Sequence, residues 1–232
     1  MNKQVVLFVV EGTSDQVSFD NILNRLLNND KIKFLVIHGD ITTVSAKYNV
    51  KKKISKRVLD FIQEPKNSFI KISDIKKIVH LVDLDGVFIN ESLVVKNDNN
   101  VKEYRENEYA VPNVTEILER NKNKSEVIKE LIKTCYINVD GRALPYEIYY
   151  FSCNLEHVLH DNPNVYTDSE KEDLSNRFAE TYLGYETEFI KFINDNRFAF
   201  DGNYKESWKD AIKEENALKR KTNFNIFFSG EN

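Results

Sequence analysis

Two aspartates at i and i+2, Asp83 and Asp85, stand at the end of an apolar run and are followed at once by Gly86. If extended backbone continues through them, their side chains leave on one side and offer carboxylate oxygens to a single point. Such hard ligands suit Mg²⁺ or Mn²⁺, which prefer carboxylate and water to thiolate or imidazole. Gly86 would let the backbone turn away without a Cβ penalty. A second acidic motif opens the chain, where the apolar run Gln4 to Val10 discharges into Glu11-Gly12-Thr13-Ser14-Asp15. The plain alternative is that an Asp-rich turn simply ends a strand.

Positioning these acids requires particular elements. Ile78, Val79, Leu81 and Val82, within Lys76 to Gly86, read as a strand buried on both faces. The run before Glu11 reads as a second such strand. A helix should follow it, with a capping box from Thr13 to Gln16 and the stripe Phe19, Ile22, Leu23, Leu26, Leu27. Acids at the carboxyl ends of strands in an open α/β sheet lie where ligands bind.

At this point the chain resembles a known family. An apolar strand ending in E-G-x-x-D, a βα unit, and an apolar strand ending in D-x-D form the motif pair of TOPRIM domains, including the OLD-family and RloB-like nucleases of bacterial defence systems. The resemblance covers roughly the first 90 residues well and the rest more loosely. It implies that Glu11, Asp83 and Asp85 hold Mg²⁺ or Mn²⁺ at a phosphodiester, with Asp15 matching the acid of the first motif. Ser152-Cys153-Asn154-Leu155-Glu156 is similar to the S-N-x-x-F-E segment of RloB-like proteins, whose glutamate joins the metal site, and departs from it at Cys153 and Leu155. Glu156 is thereby a candidate ligand, although an acid in a first helical turn is favoured by the helix dipole whatever its function. OLD-like enzymes use a late lysine to steady charge on the phosphate, and Lys219, within Lys219-Arg220-Lys221, is the candidate here. A terminal basic cluster that is merely solvated is the other reading.

The expectation is a metal-dependent nuclease acting on DNA or RNA, with Glu11, Asp83 and Asp85 converging on one metal; Asp85 buried against a salt bridge would tell against the TOPRIM reading. A second ion, helped by Asp15 and Glu156, would lie roughly 3.5 to 4 Å away. The resemblance extends to anti-phage defence, with an ATPase from a neighbouring gene as partner and room for a homodimer. Two other readings stand beside it. LVDLDGVFI also looks like the first motif of HAD-type phosphatases, although that motif usually opens the fold and no later apolar run ends in paired aspartates. A TOPRIM scaffold that binds nucleic acid or a partner without cutting is the third.

The remaining chain fits an α/β fold, a Rossmann-like, mostly parallel TOPRIM sheet in a single domain of residues 1–232. Its core would be about 1–90 and 146–160, with a helical insertion at 91–140 and a helical extension at 165–232. Lys33 to His38 reads as a strand running into Gly39-Asp40, where Asp40 belongs either to a turn or to the metal site, and His38 packs within the sheet. Lys47 to Glu64 reads as a helix with Val50, Ile54, Val58 and Phe61 on one face. Its Lys51, Lys52, Lys53, Lys56 and Arg57 form a solvated face or a track for phosphates. Phe88 to Tyr109 reads as a long loop, and Val114 to Ile132 as two helices or one kinked around Asn121 to Lys124. Tyr146 to Phe151 reads as a strand, with Asn154 capping a helix. Helices follow over Asp168 to Tyr182, Thr187 to Asn194 and Tyr204 to Glu215, and Phe224 to Phe228 closes as a strand.

Composition narrows the function classes. With 33 basic and 37 acidic residues the net charge is −4, so nucleic-acid binding would rest on local patches and a metal. Cys135 and Cys153, the only cysteines, exclude a disulfide framework and a thiolate metal site. No apolar run reaches the length of a membrane span, and a cytoplasmic, membrane-free protein is expected.

Overall fold

The computed structural model describes residues 4–27, 31–43, 49–164 and 167–230. Its centre is a five-stranded sheet in the order β2-β1-β3-β8-β7. The first four are parallel, namely β1 (Val5–Val10), β2 (Lys31–Val36), β3 (Ile75–Asp83) and β8 (Arg142–Phe151). β7 (Tyr136–Val139) pairs antiparallel with β8 through a tight turn at Asp140-Gly141, both with positive φ. The chain therefore has the expected α/β architecture with a mostly parallel sheet.

Period-two alternation along β1 explains why it is buried on both faces. Val5, Leu7 and Val9 pack with Val50, Ile54 and Val58 of α2 (Val50–Gln63) and with Ile117, Ile128 and Leu131 of α3 (Val114–Ile132). Val6, Phe8 and Val10 face Phe19 and Leu23 of α1 (Thr13–Leu26) and the aromatic side chains Phe178, Phe189, Phe224 and Phe227. These four come from α5 (Asp168–Thr181), α6 (Glu186–Ile193) and the residues leading into and forming α8 (Asn225–Ser229).

Several elements differ from the sequence reading. α3 is one continuous helix, because Asn121 and Lys124 continue the buried stripe Ile117, Ile128, Leu131 at helical spacing. Phe88 to Tyr109 is not a long loop: it contains β4 (Val94–Lys96) and β5 (Glu103–Tyr104), which join β6 (Tyr109–Val111) in a three-stranded sheet ordered β4-β6-β5. The buried Asn97 side chain organises its polar centre by donating to Val101 O and accepting from Asn99 N. Phe224 to Phe228 is helical, since Phe224, Phe227 and Phe228 at i, i+3, i+4 meet on one face. β2 stops at Val36, so His38 lies beyond the sheet, exposed and with positive φ. Residues 47 and 48 of the expected basic helix lie outside the described residues. None of the described helices is long and apolar enough to cross a membrane.

β7 and Cys135 O cover only the first part of β8, up to Tyr146, which leaves Glu147 to Phe151 with an open edge. Side chains and a returning strap close it. The Tyr204 hydroxyl of α7 (Tyr204–Ala211) accepts from Ile148 N at 3.1 Å and donates to Ile148 O at 2.8 Å. Tyr150 N donates to Asn223 Oδ1 at 2.9 Å, Thr222 Oγ1 donates to Tyr150 O at 2.6 Å, and Ser152 N donates to Lys221 O at 3.0 Å. The C-terminal segment thus pins the strand that leads to Glu156. Tyr204→Phe removes both bonds to Ile148, and its expected cost is about 1–2 kcal/mol, read as a melting temperature lower by roughly 3–6 °C.

Candidate functional site

The shared carboxyl edge of the parallel strands gathers the acids. Val9 pairs with His80, so Glu11 leaves β1 one residue short of the level at which Asp83 leaves β3. Asp83 pairs with Phe151, and the chain beyond β8 enters α4 (Leu155–His160) carrying Glu156. Asn154 caps α4 by accepting from His157 N at 2.8 Å, and Glu156 is 4 % exposed. Asp15, rather than the Thr13–Gln16 pair, completes the start of α1: its Oδ2 accepts from Glu11 N at 3.1 Å and Gly12 N at 3.0 Å. Glu11, Asp15, Asp83 and Glu156 then line one cavity of about 700 Å³ together with Gly12, His38 and Lys171.

Electrostatics in this cavity are unfavourable as the side chains stand. Burial pushes the Glu11 carboxyl well above the usual range; Lys124 opposes this, while Asp40, Asp85 and Asp15 add to it. Burial does the same to Asp83, reinforced by Glu11, Asp15, Glu156 and Asp85. Asp15 is pushed up to about 6, by burial first and by Glu156 among its neighbours. Glu11 Oε1 and Glu156 Oε2 are buried without a hydrogen-bond partner. The cation in the cavity lining is Lys171 of α5, 3.6 Å from Glu156 Oε1, and its own pKa is raised: burial works against its charge, but Glu156, Asp83 and Asp15 outweigh it.

Asp85 is not in this cavity. Its φ of 50° and that of 66° at Gly86 put both residues in the left-handed region, so the strand pitch does not persist and Asp83 and Asp85 diverge. Asp85 Oδ2 meets Lys124 Nζ at 2.6 Å and Arg120 Nη1 at 3.9 Å, and Tyr104 donates to Oδ1 at 3.4 Å. Burial alone would raise its pKa; Lys124 and Arg120 reverse this and leave it below the usual value. Lys124 also pairs with Asp40 Oδ2 at 2.6 Å, and Asp40 Oδ1 accepts from Thr42 N at 2.7 Å. The expectation of three converging carboxylates is therefore not met: Glu11 and Asp83 share the cavity, and Asp85 is held in an ion pair.

Lys219 is exposed, donates to Asn216 Oδ1 at 3.2 Å and does not line the cavity. Its neighbours have structural partners: Arg220 donates to Val158 O at 2.6 Å, and Lys221 pairs with Asp210 at 2.6 Å. Lys53, Lys56 and Arg57 of α2 line a second cleft of about 500 Å³, which adjoins the first through His38 and Gly39. Sequence reading missed Lys124, Arg120 and Lys171. The heptad-like run Ile117, Asn121, Lys124, Ile128, Leu131 was the available signal for Lys124; Lys171 had none.

Neither protein-family models nor curated proteins nor solved structures match this chain. The site is read from its own chemistry. Among the described residues, no three Asp, Glu, His or Cys side chains stand together as a ready-made metal site. The donor set nevertheless fits a hard cation, since orphaned, buried carboxylate oxygens are what Mg²⁺ or Mn²⁺ would satisfy.

A carboxyl whose folded pKa is raised holds a proton that the unfolded chain has already released, so stability falls as pH rises from the unfolded value through the folded one. For Asp15 that window runs from 3.8 to about 6, and the shifts of Glu11 and Asp83 have the same sign. These acids accordingly make metal-free protein lose stability from pH 5 to neutral pH, a slope that His80 and His157 oppose because burial lowers their pKa values to about 3 and about 4. Asp83→Asn should flatten that slope, and Mn²⁺ should raise the melting temperature more at the higher pH. Thermal melts across pH, with and without Mn²⁺, check this.

Proposed function

We propose that the chain is a TOPRIM-type nuclease that hydrolyses phosphodiester bonds of nucleic acid with Mg²⁺ or Mn²⁺. The observation that carries this is that Glu11, Asp15, Asp83 and Glu156 line one cavity at the carboxyl edge of a parallel sheet, two of them with buried, partnerless oxygens. A divalent ion held there would polarise a scissile phosphate and acidify an attacking water. Glu11, Asp83 and Glu156 would be its principal ligands. Asp15, with one oxygen committed to the start of α1, would keep the other for the ion or its waters.

Lys171 takes the role that sequence reading assigned to Lys219, placing a positive charge beside the carboxylates where a phosphate's own charge needs support. Lys53, Lys56 and Arg57 give the phosphates flanking the scissile bond a path away from the acids. The engaged Asp85 is where this reading departs from the D-x-D pattern of the resemblance. It weighs still more against a HAD-type phosphatase, whose second aspartate acts as general acid beside the first. A role in anti-phage defence, with an ATPase partner, rests on the resemblance alone.

The test is cleavage of single- and double-stranded DNA and RNA with Mn²⁺, alone and with the product of an adjacent ATPase gene. Glu11→Gln and Asp83→Asn should each reduce cleavage by at least about 100-fold, and Lys171→Ala by about 10- to 100-fold, with the fold retained. Hydrolysis of small phosphate monoesters that depends on Asp83 and ignores Glu11→Gln would replace this reading with the phosphatase. Metal-independent nucleic-acid binding with no cleavage under any of these conditions would replace it with a binding module.

A further inference from the structure

Lys124 is the one Lys or Arg among the described residues that is buried, with a side chain 0 % exposed. Its Nζ lies 2.6 Å from Asp40 Oδ2 and 2.6 Å from Asp85 Oδ2, so one compact cation bridges acids from the ends of two different strands. Its charge also reaches Glu11, where it is the main influence opposing burial. Arg120 reinforces it by donating to Asp85 O at 2.9 Å while its Nη1 stands 3.9 Å from Asp85 Oδ2. Asp40 and Asp85 with Lys124 and Arg120 therefore form a group of two anions and two cations that balances internally. Of the other acids of the edge, Glu11 feels Lys124 without an ion pair to it, and Asp15, Asp83 and Glu156 are offset by Lys171.

We propose that Lys124 is a built-in counter-cation at the second cation position of this edge, so that the centre takes a single divalent ion on Glu11, Asp83 and Glu156 and leaves Asp85 outside its ligand set. This rests on the metal-dependent reading above and narrows it from two ions to one. The Lys124 ammonium already occupies Asp85 Oδ2 and Asp40 Oδ2, so an ion that drew on Asp85 would have to displace it. The same pair of contacts makes Lys124 and Asp85 positioning residues. Asp85 directly follows Leu84, which is hydrogen-bonded to β8 through Phe151 O, and anchoring it fixes the turn just beyond Asp83.

Calorimetric and paramagnetic-resonance titration of the full chain with Mn²⁺ tests this without relying on activity. The expected result is one Mn²⁺ per chain with an uncoupled spectrum. Asp85→Asn should weaken that ion by less than about tenfold and Glu11→Gln by more than about 100-fold, because only the latter removes a ligand. Lys124→Ala should admit a second Mn²⁺ with an exchange-coupled spectrum; if circular dichroism shows that this variant does not fold, wild-type stoichiometry and Asp85→Asn decide. Two coupled Mn²⁺ ions in the wild type, an Asp85→Asn loss equal to that of Glu11→Gln, or a folded Lys124→Ala that still takes one ion would overturn the inference. A wild type that binds no Mn²⁺ would be a different failure, that of the metal-dependent reading itself.

Discussion

Negative charge crowded at one sheet edge is the constraint on which this molecule turns. A parallel sheet delivers the carboxyl ends of all its strands to the same side, and here each parallel strand empties into an acid. β1 leads to Glu11, β2 to Asp40, β3 to Asp83 and Asp85, and β8 to Glu156. Coulombic repulsion and desolvation act together in such a place, and either would favour protonation. The structure resolves the conflict unevenly. Around Asp40 and Asp85 it supplies Lys124 and Arg120, and the Asp85 pKa falls. Around Glu11, Asp15 and Asp83 it supplies too little positive charge, and their pKa values rise.

The division between those two halves is made by backbone geometry at a single step. Asp85 and Gly86 both adopt left-handed conformations just after Leu84 N donates to Phe151 O and Asp85 N to Cys153 O. The chain remains bonded to β8 through Asp85 and then turns sharply, which sends the Asp85 side chain toward α3. An L-residue with positive φ is costly, and the 2.6 Å ion pair of Asp85 with Lys124, backed by the Arg120 hydrogen bond to Asp85 O, is an adequate reason for it to persist. At Gly86 a Cβ would meet Leu218 at 3.2 Å as well as the unfavourable φ, so the glycine serves both the turn and the packing of the C-terminal segment above it.

Much of the fold was legible because its signals are local. Buried strands announce themselves as runs of Val, Ile, Leu and Phe, and α1, α2, α5 and α6 by apolar spacing. What escaped was decided by distant contacts. The strands of the small sheet are two or three residues long, too short for alternation to register. β7 exists only as the partner of β8. Phe224 to Phe228 satisfies either period over so few residues, and packing against Phe8 and Phe189 selects the helix.

The candidate site was legible in its anions and hidden in its cations, and the asymmetry has a physical origin. The acids sit at strand ends, where sequence order and the geometry of a parallel sheet fix their neighbourhood together. The cations come from helix faces, and which charge a helix brings to the edge depends on how it docks. Lys124 looked like part of a polar break in α3, because a lysine on a buried stripe makes sense only once Asp40 and Asp85 are known to lie beneath it. Lys171 has no signal of its own in the sequence, and only the packing of α5 against α1 brings it to Glu156. Reading a charged site from sequence therefore yields the set of groups that needs neutralising before it yields what neutralises them, and the number of metal ions the site takes depends on the second.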